Sequence, residues 1–502
     1  MTDSPFVCQY VVNFPVAGYL FIFAAVKNVT VMKEQLIGRQ EETKMIDSYL
    51  SSEKSEFIAV YGRRRVGKTF LIRQIIKERA SFIVSGMNNV SNETQLLNFD
   101  SALRHYSPES PDSTDWLSAF ENLANYLSKL KVKTKIIFVD EMPWMDTPNS
   151  RFISALEHFW NSWAAWRDDI KLIVCGSATS WMLDNVINSH GGLHNRVTHQ
   201  VVIKPFKLSE CKEYFRTYGF PYGEREIMEC YMVFGGIPYY LSLMDRQMSV
   251  AQNIDRLIFS SSGELRNEMF NLFRSLFRHS DDYESIIVAL STKKRGLTRS
   301  ELIEITKLNN NARLTKMLRE LEECSFIRSY TNLNRKSRLE TYQLIDPFVY
   351  FNFSIVAKKK NNDDSFWTHT LMSPLYYNWS GLAFEILCVN HLDEIKQVLG
   401  INGMACGAYS WRTPAGEEPG AQVDLVIERA DNTVNLCEMK YNVAEYAITA
   451  EYEHELARKV QALQSTLGKR KTVRLTMITN NGLKHNAHSY MVVNEVKATA
   501  FL

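Results

Sequence analysis

The chain carries almost no net charge: its 58 Lys and Arg against 56 Asp and Glu leave +2 at pH 7 over 502 residues. So even a balance excludes a protein that is basic or acidic throughout and gives no argument for or against nucleic acid. Any basic surface has to be local. Paired cysteines are missing as well. The eight cysteines are scattered without one C-x-x-C, most of them in apolar runs such as Ile173-Val174-Cys175 and Leu436-Cys437. No structural zinc site is visible, and buried free thiols in a reducing, cytoplasmic compartment fit this usage. At on the order of 150 residues per domain, about three domains are expected.

Charge is absent altogether from Pro5 to Val26. This stretch is long enough to span a bilayer. Against that, Asn13, Pro15 and Gly18 interrupt it, and no Lys or Arg precedes it, so it lacks a signal-peptide n-region. Three readings stay open: translation that begins at Met32, a peripheral apolar strand or helix, and a membrane anchor. No membrane contact is expected unless this extension, residues 1–31, is real.

What is present is sharper. Gly62-Arg63-Arg64-Arg65-Val66-Gly67-Lys68-Thr69 is a full G-x-x-x-x-G-K-[ST] pattern between the β-prone run Phe57–Tyr61 and the helically periodic run Phe70–Ile76. Strand, glycine loop and helix in this order cradle phosphates. The glycines let backbone N–H groups converge, and the helix adds the positive end of its dipole. Lys68 is expected to reach the β- and γ-phosphates of ATP and Thr69 to ligate Mg²⁺, with Gly62 through Phe70 lining the nucleotide. For Arg63, Arg64 and Arg65 two readings remain: contact to phosphate or to an acidic partner, and plain solvated charge.

Downstream, Lys135-Ile136-Ile137-Phe138-Val139-Asp140-Glu141 is an apolar strand that ends in two carboxylates. A fully apolar run suits a buried parallel strand, and ligands belong at the carboxyl ends of such strands. Asp140 would hold Mg²⁺ through its water shell, and Glu141 would act as general base on the attacking water. A third apolar strand, Ile170–Gly176, ends at Ser177, which either sits beside the γ-phosphate or starts a turn. Strand character resumes over Val201–Phe206. Just before it, Arg196 is either a surface charge or an arginine finger, and a finger acting on a neighbouring copy would imply a homo-oligomer.

These residues resemble the prokaryotic AAA-type ATPases related to the archaeal ATPase and STAND groups. The likeness is carried by Leu36–Glu42, Gly62–Thr69, Phe138–Glu141, Cys175–Ser177 and Phe234–Leu241, and runs over most of the chain from Met32. It implies that Gly38 and Arg39 open the nucleotide domain near the adenine. It also implies that Ser177 is a polar sensor that orients the water, and that Gly235-Gly236-Ile237-Pro238 lies in a helical subdomain.

From Tyr283 the pattern predicts three short amphipathic helices, at 284–290, 297–302 and 311–321. Two strands follow, at 326–330 and 341–345, joined by a basic turn with Arg335, Lys336 and Arg338. Three helices and a hairpin make a winged helix. Arg313, Lys316 and Arg319 on its third helix would meet DNA phosphates, or the module would instead pack on the nucleotide domain and relay its state. Ala357–Asp364 reads as a charged linker.

In the last part, Asp424 on one strand is followed fourteen residues later by Glu438-Met439-Lys440 on the next. Period-two geometry puts Glu438 and Lys440 on one face, and a turn at Asp431-Asn432 makes a hairpin. Asp424 and Glu438 would bind Mg²⁺, Lys440 would position or activate water, and Glu385 on the preceding helix would complete the site. This segment resembles the PD-(D/E)XK nuclease-like domain, with Trp411 and Gln422–Leu425 matching its surroundings and Val423 standing where the family has proline. The expected fold is therefore multidomain α/β: a P-loop AAA-type parallel sheet at 32–206, a helical subdomain at 207–278, a winged helix at 279–356, a linker at 357–372 and an α/β nuclease-like domain at 373–502. Two functions follow: an ATP-hydrolysing protein that couples nucleotide state to a nuclease-like domain acting on DNA, or an ATP-dependent switch with an inactive docking domain.

Overall fold

A computed structural model describes residues 35–502 except 178, 188–192, 194, 278–279, 294–295, 332, 334–339, 360–361 and 413–420. The chain forms a short unit, Met1–Leu36, and a body, Ile37–Leu502. The uncharged stretch 5–26, with every reading attached to it, lies outside the described residues. Among the described residues no helix is long and apolar enough to cross a membrane. The described cysteines are free thiols, all buried except the half-buried Cys406.

The first sheet is fully parallel, in the order β2-β3-β4-β1-β5. Its strands are β1 Glu56–Tyr61, β2 Ala80–Ser85, β3 Lys135–Asp140, β4 Ile170–Gly176 and β5 His199–Val202. The apolar runs that form β1, β3 and β4 are buried along their whole length, as strands covered on both faces must be. α1 Gln40–Leu50 packs against β1 and against α2 Lys68–Ile76. α3 Asn92–Tyr106, α4 Trp116–Lys129 and α5 Phe152–Ser162 build an aromatic core on Phe57 and Phe82, centred on Phe99, Trp116, Phe120 and Phe152. β4 leads into a single helical turn, α6 Thr179–Met182, which continues as a π-helical segment, Leu183–Ile187.

β5 begins and ends earlier than its apolar pattern predicts. Past Ile203, whose N still donates to Tyr61 O at 2.8 Å, the backbone leaves the ladder: Pro205 has no N–H to give, and Phe206 N donates to Gly236 O instead, at 2.7 Å. That exchange joins the sheet to a helical region of α7 Leu208–Thr217, α8 Glu224–Phe234, α9 Pro238–Ser242, α10 Val250–Ile254 and α11 Glu268–Leu276. Glycine is required at the join. Gly236 has φ 66°, and a Cβ there would stand 2.3 Å from Phe206 O.

A middle module follows, with α12 Ser280–Ser291, β6 Leu297–Thr298, α13 Arg299–Thr306, α14 Ala312–Glu323, β7 Ile327–Thr331 and β8 Glu340–Leu344. Its antiparallel sheet runs β6-β8-β7. Leu297 and Thr298, expected in a helix, form β6 because they pair with Tyr342 and Thr341, and Thr298 then caps α13 by accepting from Glu301 N. The basic turn of Arg335, Lys336 and Arg338 lies outside the described residues.

The rest of the body contains α15 Pro347–Ser354, α16 Phe366–Thr370, α17 Pro374–Asn390 and α18 Leu392–Val398. Part of the stretch expected as a charged linker is packed structure. Trp367 of α16 is buried, and the Asp255 carboxylate accepts from Trp367 N and Thr368 N. Then come β9 Cys406–Arg412, β10 Gln422–Arg429, β11 Thr433–Lys440, β12 Tyr446–Ala447, α19 Ala450–Thr466, β13 Thr472–Thr479, β14 Leu483–Lys484 and β15 Val492–Lys497. The sheet order is β15-β13-β11-β10-β9. β9, β10 and β11 are antiparallel, whereas β11, β13 and β15 are parallel, with α19 crossing between β11 and β13. Asn432, at φ 64°, makes the β10–β11 turn.

Candidate functional site

The glycine loop sits at the carboxyl end of β1, level with the ends of β3 and β4 on one side of it and of β5 on the other. Gly62 has φ 142°, and a Cβ there would stand 2.2 Å from Ile203 O, so the turn out of the sheet tolerates glycine alone. Lys68 opens α2, is buried, and donates from Nζ to Gly62 O and Arg63 O, both at 2.9 Å. Its ammonium is thereby held across the mouth of the loop. Thr69 Oγ1 donates to Asp140 Oδ1 at 3.0 Å, which brings together the two hard-oxygen groups expected to serve Mg²⁺. Burial, with Glu141 alongside, raises the Asp140 pKa. A cation bound there would offset both effects.

Glu141 has left-handed backbone at φ 44°, an uncommon state for this residue type. Its carboxylate accepts from Ser177 Oγ at 2.9 and 2.8 Å and from Ser177 N at 3.2 Å. The ends of β3 and β4 therefore share one hydrogen-bonded pair. Gly38 and Arg39 lie before α1. The Arg39 guanidinium donates to Val66 O at 3.2 Å and Lys204 O at 2.6 Å, pairs with Glu42 at 3.2 Å, and lies over Phe206. Arg39 N donates to Glu210 Oε1 at 2.9 Å. Arg39 thus ties the entry of the domain to the loop and to α7. Beside it lies a cavity of about 470 Å³ lined by Val202, Phe206, Tyr231, Gly235 and Asp346 among others. Arg196 is exposed in the turn before β5.

Arg63 and Arg65 of the loop are not solvated charge. Arg63 is ion-paired with Asp346, the residue that caps α15, and its guanidinium lies over the Phe326 ring at 4.8 Å; the two charged side chains are 2% and 3% exposed. Arg65 pairs with Glu268 at 2.6 Å and lies over Tyr239, while Tyr240 donates to the other Glu268 oxygen at 2.9 Å. The acidic partner is therefore within the chain. Arg64 is half-buried in the same loop. Nothing local in the sequence marks Asp346 or Glu268 as partners of residues about two to three hundred positions upstream. The only legible signal is Asp346-Pro347 ahead of an apolar run, which announces a helix start.

The basic face of α14 is likewise occupied. Lys316 and Arg319 pair with the two oxygens of Asp184 at 2.7 and 2.9 Å, and Arg313 pairs with Asp282 at 2.5 Å. Of the two expectations for these residues, the packed one describes this conformation. Asp184 belongs to the π-helical segment after β4.

In the C-terminal sheet, Glu438 is buried and accepts from Tyr452 Oη and Lys459 Nζ of α19, both at 2.8 Å. Lys440 Nζ lies 4.5 Å from the centre of the Tyr452 ring, so Glu438 and Lys440 do share a face. Burial opposes the charge on Lys459, but Glu438 and Glu455 outweigh it and raise its pKa. Asp424 accepts from Gln422 Nε2 at 2.7 Å. Glu385 lies on α17, which packs against β11, where Cys437 adjoins Cys388 of that helix. The expected trio of Glu385, Asp424 and Glu438 is not gathered into one site: among the described residues no three His, Cys, Asp or Glu side chains stand close enough to hold a metal. For Glu385 the reason is geometric: its helix packs against β11, whereas the Glu438 carboxylate is taken up by Tyr452 and Lys459 of α19.

Residues 36–244 match the family model of an ATPase domain predominantly from Archaea. The chain is 26% identical over 372 residues to an uncharacterized protein of Methanocaldococcus jannaschii, an alignment that covers 72% of this chain and 78% of that one. Among solved structures it is similar to a Walker-type ATPase of Pyrococcus abyssi, at 20% identity and TM-score 0.47, over 64% of this chain and 96% of the other. It is similar also to the ORC2 protein of Aeropyrum pernix, at 12% identity and TM-score 0.40, over 73% and 98%. Residues 36–244 are therefore an ATPase domain.

Proposed function

We propose that ATP turnover in this domain works a winged helix, built from the middle module, and a nuclease-like domain, built from α17 onward, on DNA. The observation that carries the coupling is the buried pair of Arg63 and Asp346. It joins the loop that faces the phosphates to the residue two positions past β8 of the β6-β8-β7 sheet. A change in the loop on hydrolysis then reaches the middle module through one rigid contact.

In the reaction, Lys68 leaves the loop carbonyls for the β- and γ-phosphates, and the N–H groups of Gly62–Thr69 orient the chain of phosphates. Mg²⁺, held by Thr69 and through water by Asp140, would neutralise charge on the phosphate oxygens. Glu141, aligned by Ser177, takes a proton from water as its oxygen bonds the γ-phosphorus and the bond to ADP breaks. The cavity beside Arg39 has the size and mixed lining of a site for the adenosine end. Arg196, exposed, suits a finger given to a neighbouring copy.

The nuclease-like reading is supported by chain order: a helix, three antiparallel strands, a crossover helix and a parallel strand, with Glu438 and Lys440 on one face. A second reading has its own observation. Glu438 is already neutralised by Lys459 and Tyr452, which suits an inactive docking module in an ATP-driven switch. Plasmid DNA incubated with the protein, ATP and Mg²⁺ separates the two. Cutting by the wild type that is lost in Lys440→Ala and Glu438→Ala excludes the docking module. No cutting by any of the three refutes the nuclease.

A further inference from the structure

We propose that Asp184 masks a DNA-binding face on α14, holding Lys316 and Arg319 until the segment that follows Ser177 moves. This rests on the winged-helix reading above and adds how its contact with duplex DNA is controlled. The two cations stand three residues apart on α14 and grip separate oxygens of one carboxylate. The apolar side of the same helix, with Leu314, Met317, Leu318 and Leu321, is buried in the module core. A phosphate backbone would therefore meet α14 on the side Asp184 now holds.

Side-chain exposures of 52% for Lys316, 48% for Arg319 and 31% for Asp184 make these screened, weak pairs. Weakness is what a gate requires. Within α14 Lys316 and Arg319 also lie 3.7 Å from Glu320 and Glu323, but a duplex presents many phosphates, and neutralising them releases counterions, so DNA competes well against these few carboxylates.

The carrier of Asp184 is joined to the hydrolysis site. Ser177, bonded to Glu141, stands two residues before α6, and the π-helical segment that bears Asp184 follows α6 directly. Trp181 Nε1 also donates to Asp146 Oδ2 at 3.1 Å, which ties the same turn to the chain leaving β3. Single π-helical turns inside helices recur at functional positions. When Glu141 re-aims at a water beside the γ-phosphate, Ser177, still bonded to it, is drawn along, and the pull falls on the segment that holds α14.

Fluorescence anisotropy of a labelled random-sequence duplex, titrated with full-length protein, tests this. Asp184→Asn is expected to bind about fivefold or more tightly than wild type, in the range of ordinary coupling between sites. Adding Lys316→Gln and Arg319→Gln should abolish the gain and reduce the salt slope by about two. Hydrogen exchange of residues 312–323, followed without DNA, should rise in Asp184→Asn while the unfolding temperature stays unchanged. Equal DNA affinity of wild type and Asp184→Asn overturns the gate and leaves the DNA reading standing. Failure of every variant to bind DNA overturns both.

Discussion

Asp346→Asn removes one charge from the most deeply buried ion pair at the phosphate loop and changes almost nothing else. Asparagine is as good a helix cap as aspartate, so α15 keeps its first hydrogen bond. Arg63 is left with its charge in a closed site: its side chain is 2% exposed, and burial already lowers its pKa against the opposing pull of Tyr240 and Glu268. Breaking such a pair from one side costs about 3 to 5 kcal/mol, chiefly because the other charge is stranded. At about 2–4 °C per kcal/mol for a unit of 150–250 residues, the unfolding temperature should fall by about 10 °C. Calorimetry of the full chain reads this directly. Replacing Arg63 by Met in the same protein should restore at least about half of the loss, since a side chain of similar volume then fills the site with no stranded charge. A fall under about 2 °C for Asp346→Asn would refute the reasoning, and so would a second substitution that deepens the loss.

Further outcomes follow from the same geometry. Glu141→Gln should lower kcat for phosphate release by about 10²–10⁴ while nucleotide binding by equilibrium titration is retained, and Ser177→Ala should lower kcat by about tenfold at nearly constant KM. His391 accepts from Leu208 N at 2.9 Å through Nε2 and bonds Leu387 O at 2.8 Å through Nδ1, and burial lowers its pKa. A neutral imidazole is thus the folded form. Its contribution to stability is complete above the unfolded pKa of about 6.5 and is lost as pH falls through the lower folded value. Melting curves should drop on acidification below about pH 6, and His391→Gln should flatten that part of the profile. Leu333→Ala, which opens the C-terminal core where Leu333 packs with Trp411 and Val423, should cost about 2 kcal/mol or more in denaturant titrations.

The nucleotide site was legible because each part is local. Gly62–Thr69 must lie between a strand and a helix to work as a loop, and Lys135–Glu141 and Ile170–Ser177 are apolar runs that end in polar groups. Parallel strands in one sheet then bring those ends together, as Thr69 with Asp140 and Glu141 with Ser177 show. The helices and hairpin of the middle module were legible from period alone. The exceptions, Leu297-Thr298 and the early end of β5, turn on backbone partners that no period encodes.

By itself, the sequence determined that a glycine loop stands between a strand and a helix, which strands are buried, and that Glu438 and Lys440 share a face, since alternation and spacing are properties of a single segment. Only the tertiary structure decided where the charges go. Arg63 meets Asp346, Arg65 meets Glu268, Lys316 and Arg319 meet Asp184, and Glu438 meets Lys459. A charged side chain has no periodicity that names its partner. It takes whichever opposite charge the packing of distant apolar faces brings within reach, and that packing places Arg63 against the module it is proposed to control.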